Sequence, residues 1–149
     1  MEVYRITIAK FSTELKASGR AARWNSNDMQ MIYTASSRSL ACLENVVHRN
    51  QLGLSALFRA MIIEIPDDIK IKTIDKSLLH DNWKDFGNMY LTQRIGDIWV
   101  SKIETAVLKV PSSIIDVEYN YLINPLHPDF KRIKLLKTEP FIFDERIKR

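Results

Sequence analysis

Arg23, Tyr33 and Glu44 lie ten and eleven residues apart in "AARWNSNDMQMIYTASSRSLACLENVV", residues 21–47. They bring a guanidinium, a phenol and a carboxylate to one short region. With Leu40 at zero and about 100° per helical residue, Val47, Leu43 and Val46 fall at about 340°, 300° and 240°, and Glu44 at about 40°. The carboxylate therefore borders an apolar stripe. An ionised carboxylate there loses hydration worth several kcal/mol, roughly, unless partners replace the water. A cationic or hydrogen-bonding partner is expected from the protein or from a ligand, the alternative being that Glu44 reaches past Leu40 into solvent. In "RWN", Arg23 suits a diphosphate, because its planar fork donates two parallel bonds and stays charged. It is equally suited to pair with Glu44, and the two roles are compatible.

Other chemistries find less support. Cys42 and His48 point about 120° apart on a helix and form no local thiolate–imidazole pair. The single cysteine excludes an internal disulfide. His48, His80 and His127 are far apart, and no metal-binding spacing exists, so no metal is expected. Ser112, His127 and Asp129 make a triad on paper, without the GxSxG elbow that would position it. Gly19, Gly53, Gly87 and Gly96 are too dispersed for a Walker loop or a dinucleotide fingerprint, which excludes a dehydrogenase.

The elements that must position these residues belong to a chain of 149 residues, 46% hydrophobic and 27% charged, the size of a single domain spanning 1–149. With no long apolar run and no secretory-type start, a soluble cytoplasmic protein without membrane association is expected. Residues 131–149 hold seven Lys/Arg against three Asp/Glu and account for the formal charge of +4. Apolar strand-like pieces interrupt this tail, so it reads as a solvated strand face rather than a nucleic-acid-binding arm.

"VYRITI" alternates as a strand with Tyr4 and Arg5 on opposite faces. "FSTELKAS" reads as a short helix or loop ending near Gly19. "MQMIYTA" reads as a strand with Met29, Met31 and Tyr33 on one face, followed by a helix capped by Ser36 or Ser37. "AMIIEIPDD" and "IKIKTI" are strand-like around a Pro-Asp turn. "LLHDNWKDF" reads as a short helix, "TQRIGDIWVSK" as a helix, and "AVLKVPSSII" as a strand ended by Pro111. "FKRIKLLKTEPFIFDERI" suggests two strands broken at Glu139-Pro140. The class is α+β.

Taken in order, "YRI", "SGRAARWNS", "IYTASSRSLACLENVVH", "IEIPDD", "IGDIWV", "LKVPSSII", "EYNYLINPLHPDF" and "FDERI" resemble the RES-domain family, the toxin half of RES-Xre toxin-antitoxin modules. The resemblance covers the chain from about Tyr4 to Ile147. It implies a compact mixed-sheet domain like that of ADP-ribosyltransferase toxins. It implies NAD as substrate, cleaved at the nicotinamide–ribose bond by hydrolysis or phosphorolysis, with mono-ADP-ribosylation of a protein as the alternative and an RNA-directed toxin as a second one. It implies a cognate Xre-type DNA-binding antitoxin, leaves a homodimer open, and assigns no nucleic-acid binding to this chain alone.

Carried over by motif, the site residues are Arg5, Arg23, Tyr33, Glu44, Ser112 and Asn120. Arg5 and Arg23 would take the pyrophosphate and help keep Glu44 ionised. Tyr33 would stack on the nicotinamide or ribose, and Asn120 would orient ligand or loop. Ser112, directly after Pro111, would bond the nicotinamide–ribose end, with Ser113 the second choice. Exposed Leu52, Leu54 and Leu57 are candidates for the antitoxin interface, with a core role as the alternative. The family's glycines around "RWN" are here Ala21-Ala22 and Asn27-Asp28; where a left-handed backbone is needed, Asn or Asp adopts it at modest cost and Ala does not.

Overall fold

The computed structural model describes residues 1–48 and 57–147. Among them, seven strands join in one sheet of order β4-β5-β6-β2-β1-β3-β7, formed by β1 (Glu2–Ile8), β2 (Ile32–Ala35), β3 (Phe58–Glu64), β4 (Ile71–Thr73), β5 (Val107–Pro111), β6 (Tyr119–Ile123) and β7 (Lys134–Phe141). Only β4 and β5 are parallel. Two helices, α1 (Arg38–His48) and α2 (Met89–Lys102), complete the frame. No helix among the described residues is long and apolar enough to cross a membrane.

Period-two alternation sorts the core. Val3, Ile32, Ile63, Val107 and Ile123 fill one face. On the other, Leu108 and Leu122 pack with Trp24, Met31 and Trp99 of α2, while Ile6, Ala35 and Ala60 pack with Leu40 and Ala41 of α1. Met29, Met31 and Tyr33 share that second face as expected, although the regular strand starts only at Ile32.

The sheet has one opening. β1 pairs with β3 along seven residues but touches β2 at the single register Tyr4↔Ala35. Beyond that pair the two strands separate. Asn45 of α1 reaches into the gap, its Nδ2 donating to the carbonyl of Ile6 at 3.0 Å. A backbone acceptor that the missing ladder would leave bare is thereby satisfied.

Three expectations need correction. "LLHDNWKDF" is a run of turns around single-turn 3-10 pieces at Lys76–Leu78 and Phe86–Asn88, not a helix. β7 runs through Pro140 without a break, with Arg59↔Pro140 in register. It is an edge strand, where the N–H that proline lacks would face solvent rather than a neighbour. "EYNYLIN" supplies β6, a strand inside the sheet that alternation had not assigned. Ser37 is the cap of α1, its Oγ accepting from the Leu40 N–H at 3.1 Å.

Candidate functional site

The gap between β1 and β2 opens into a cleft of about 450 Å³, within the ordinary range for small-molecule sites. Arg5, Ile6 and Thr7 form one wall, Tyr33 and Thr34 the other, and Glu44, Asn45 and His48 project from α1.

Glu44 is 20% exposed, so the reading in which it extends into solvent does not hold. The stripe inferred around α1 is partly displaced. Leu40 and Ala41 are buried, but Leu43 and Val47 are 39% and 60% exposed, leaving Glu44 and Asn45 on the cleft side. Glu44 Oε1 accepts from Asn120 Nδ2 at 2.7 Å and from Ser112 Oγ at 3.2 Å. Oε2 lies 3.5 Å from His48 Nε2, one helical turn on. Burial pushes the Glu44 carboxyl up, but hydrogen bonds from His48, Asn120 and Ser112 outweigh it and hold the group below its ordinary value.

Each partner is fixed by the sheet. Asn120 sits in β6 between Ala35 of β2 and Val110 of β5. Because its amide nitrogen serves a carboxylate that only accepts, its Oδ1 must face away; it is buried and has no partner. Ser112 directly follows β5, its N–H donating to the Glu118 carbonyl at 2.9 Å. Its hydroxyl accepts from the N–H groups of Ile114 and Ile115 at 3.0 and 3.1 Å. With both lone pairs taken, the one proton is left for Glu44. Ser112 is fully buried and supports the carboxylate, while its neighbour Ser113 lines the cleft.

The "RWN" loop is tied together through Asn25, 1% exposed, whose Nδ2 donates to the carbonyls of Arg20, Ser26 and Met29. The Tyr33 hydroxyl donates to Asn25 Oδ1 at 2.5 Å and accepts from the Trp24 N–H at 3.1 Å. Burial raises the Tyr33 phenol well above its usual range, so it stays protonated and bridges. α2 clamps the same loop: Ser26 gives N–H and Oγ–H bonds to Asp97, Thr92 Oγ1 donates to the Arg23 carbonyl, and Gln93 Nε2 to that of Ala22. Asp28 takes the left-handed conformation, φ 70°, where the family's glycine is replaced, and Ala21 and Ala22 keep negative φ.

Arg23 does not pair directly with Glu44. Its Nη1 donates to the Trp83 carbonyl at 3.0 Å, its guanidinium lies 5.9 Å from that indole ring, and its Nε is buried without a partner. Burial pulls its pKa down, partly offset by the fields of Glu44, Asp85 and Tyr33. Arg5 lines the cleft, its guanidinium without a hydrogen bond or ion pair among the described residues, and burial lowers its pKa. The groups in contact that hold Glu44 ionised are thus an imidazole, an amide and a hydroxyl, and Arg23 acts on it only through its field, without a direct bond. His48 was legible as a partner from its four-residue spacing alone. Trp83 and Asp97 are brought in by the fold and carry no local signal.

The paper triad does not form, since Ser112 and His127 lie beyond opposite ends of β6 and His127 Nδ1 instead accepts from the Asp129 N–H. Leu57 is 71% exposed, while Leu52, Leu54 and Gly53 lie outside the described residues.

The split sheet thus frames a cleft that holds a supported carboxylate and is also lined by Arg5 and Arg23. In sequence, the RES domain model aligns with residues 2–144, and the chain belongs to that family. It is similar to the "Prs ADP-ribosylating toxin" of Sphingobium sp. (strain YBL2), 39% identical over 127 residues covering 84% of this chain and 79% of that one. It is also similar to the "Toxin Res" of Yersinia enterocolitica, 33% identical over 154 residues covering 99% of this chain and 100% of the relative. The fold is shared with a chain of the M. tuberculosis MbcT-MbcA toxin-antitoxin complex, with a TM-score of 0.76 and 16% identity over 95% of this chain and 84% of that chain. By family and fold, this is a RES-domain protein of the toxin class.

Proposed function

We propose that the protein is the toxin of a toxin-antitoxin module and depletes NAD by cleaving the nicotinamide–ribose bond. The observation that carries this reading is the Glu44 carboxylate, kept ionised at the cleft, with Oε1 occupied by Asn120 and Ser112 and Oε2 bonded only loosely. The bond to be broken joins a cationic pyridinium nitrogen to C1 of the ribose. Its electron pair leaves with nicotinamide, which departs neutral and needs no general acid. Positive charge then develops on the sugar, and Glu44 stabilises it at close range in a site of low polarity. A water oxygen bonds to C1 and loses a proton, or phosphate takes its place.

The residues present fit NAD. Arg5 and Arg23 offer unpaired guanidinium N–H groups to the pyrophosphate, and Asn120 Oδ1 and Asn45 Oδ1 are buried acceptors awaiting donors such as ribose hydroxyls or the nicotinamide amide. Tyr33 contributes its ring face and holds the loop that carries Arg23. Ser112 acts on Glu44, and of the two adjacent serines Ser113 is the one that lines the cleft.

A second reading, transfer of ADP-ribose to a protein, is favoured by the name of the 39% identical relative. It uses the same bond cleavage and a different acceptor. Action in the cytoplasm and neutralisation by an Xre-type DNA-binding antitoxin complete the proposal. Purified protein incubated with NAD and a cell extract tests it. Free nicotinamide without labelled protein indicates hydrolysis or phosphorolysis, which phosphate dependence separates. Label on a protein indicates transfer, and intact NAD rejects both readings and leaves RNA to be assayed.

A further inference from the structure

A second hollow of about 490 Å³ lies beside the first and shares Arg5, Ser18 and Arg20 with it. Its remaining wall comes from the segment after β1 and includes Lys10, Phe11 and Lys16. Four cations thus surround it, against one carboxylate, Glu14. Among the described residues none of the four takes part in an ion pair, and the Arg5 guanidinium, partly buried between the two hollows, has no hydrogen-bond or ion-pair partner. Phe11 is 58% exposed and presents an aromatic ring at the rim, with Lys10 Nζ 4.8 Å from its centroid.

An unpartnered guanidinium on the boundary and free lysines beyond it make a place for negative charge that continues past the pyrophosphate position. We infer that this second hollow receives the adenosine half of the dinucleotide and takes a phosphate monoester on its ribose, so that a 2′-phosphorylated dinucleotide binds more tightly than the unphosphorylated one. This rests on the reading of the first cleft as the nicotinamide end. With Glu44 in the first cleft and Arg5 and Arg20 shared by the two hollows, the chain of the ligand runs from the carboxylate toward Lys10 and Lys16. The purine finds the Phe11 ring, since every base has a face to stack on an aromatic side chain. Lys10 and Lys16 meet the additional dianion. An adenosine ribose without that phosphate leaves both ammonium groups in water at no cost, so NAD is still accepted.

The test is equilibrium binding of ADP-ribose and 2′-phospho-ADP-ribose, neither of which retains the bond to be cleaved, measured by calorimetry on the wild-type chain and on a Lys10→Ala/Lys16→Ala double variant. Both lysines are exposed, so the variant is expected to fold. The expected result is binding about tenfold tighter for the phosphorylated compound, with the difference gone in the double variant. Equal affinities, or a difference that survives the double substitution, overturn the assignment. Orthophosphate binding that depends on the two lysines, without any difference between the nucleotides, also overturns it and marks a free-phosphate site. Nicotinamide release from NAD, run in parallel, reports on the first cleft separately: release with equal nucleotide affinities sinks only this inference, and absence of both release and nucleotide binding sinks both.

Discussion

Gly96 and Trp24 meet backbone to backbone: a β-carbon placed on Gly96 would lie 1.7 Å from the Trp24 carbonyl oxygen. α2 therefore rests directly on the "RWN" loop, and the absent side chain is what lets the Thr92, Gln93 and Asp97 bonds close. Gly96→Ala forces the two elements apart. The expected loss is about 3 kcal/mol of stability, as for an overpacked core site, read from denaturant unfolding. A variant as stable as the wild type would show that the loop yields freely.

Glu44→Gln keeps the shape of the side chain and removes its charge. Folding is expected to persist, with turnover of NAD lowered on the order of a hundredfold, about 3 kcal/mol of transition-state stabilisation. Nicotinamide release and a thermal melt on the same sample separate the chemistry from the fold. Wild-type turnover in the folded variant would remove Glu44 from the reaction.

The depressed Glu44 pKa predicts the form of the acid limb. The ionised carboxylate is the favoured form in the folded chain, so its contribution to stability is present above the ordinary glutamate value of 4.5 and is lost as pH falls through the lower folded value. Activity is expected to hold to the same low pH. Asn120→Ala removes one of the bonds that lower the pKa, and the acid limb of the pH–rate profile should move upward. A profile that stays in place would mean that Asn120 does not set the charge of Glu44.

Tyr33→Phe removes only the oxygen that joins Asn25 to the Trp24 N–H. It leaves a buried amide oxygen short of a donor and a loop N–H short of an acceptor, with an expected cost of about 1 to 3 kcal/mol. If the phenol serves the loop, KM for NAD should rise because Arg23 is no longer held. Urea unfolding and steady-state kinetics measure the two effects.

The parts legible in the chain are those in which short-range pattern and long-range packing agree. The helical period finds α2, which buries one face, and short β-branched and aliphatic runs find β1 and β5, which are buried on both sides of the sheet. The facing of α1 is less accessible. Counting aliphatic residues draws the stripe toward Leu43 and Val47, whereas the fold spends that side on the surface and gives the cleft side to Glu44 and Asn45. Pro140 reads as a strand breaker until the strand is known to be an edge, and edge position is a property of the whole sheet. The left-handed backbone falls on Asp28, one of the two residues, Asn27 and Asp28, that stand where the family has a glycine; the family pattern raised the pair and the fold chooses between them. The bond between Ser112 and Glu44 joins residues 68 apart, and no local pattern announces it; family motifs brought both residues forward, and only the fold assigns the lining position to Ser113.

The single register between β1 and β2 also bears on how little the site has to move. A pocket framed by loops must be held in shape by them, whereas here the two banks are neighbouring strands already locked on their far sides, β1 to β3 and β2 to β6. Asn45 works as a wedge, answering the Ile6 carbonyl so that the seam has no reason to zip shut. The protein obtains a rigid receptacle by leaving its central sheet unfinished.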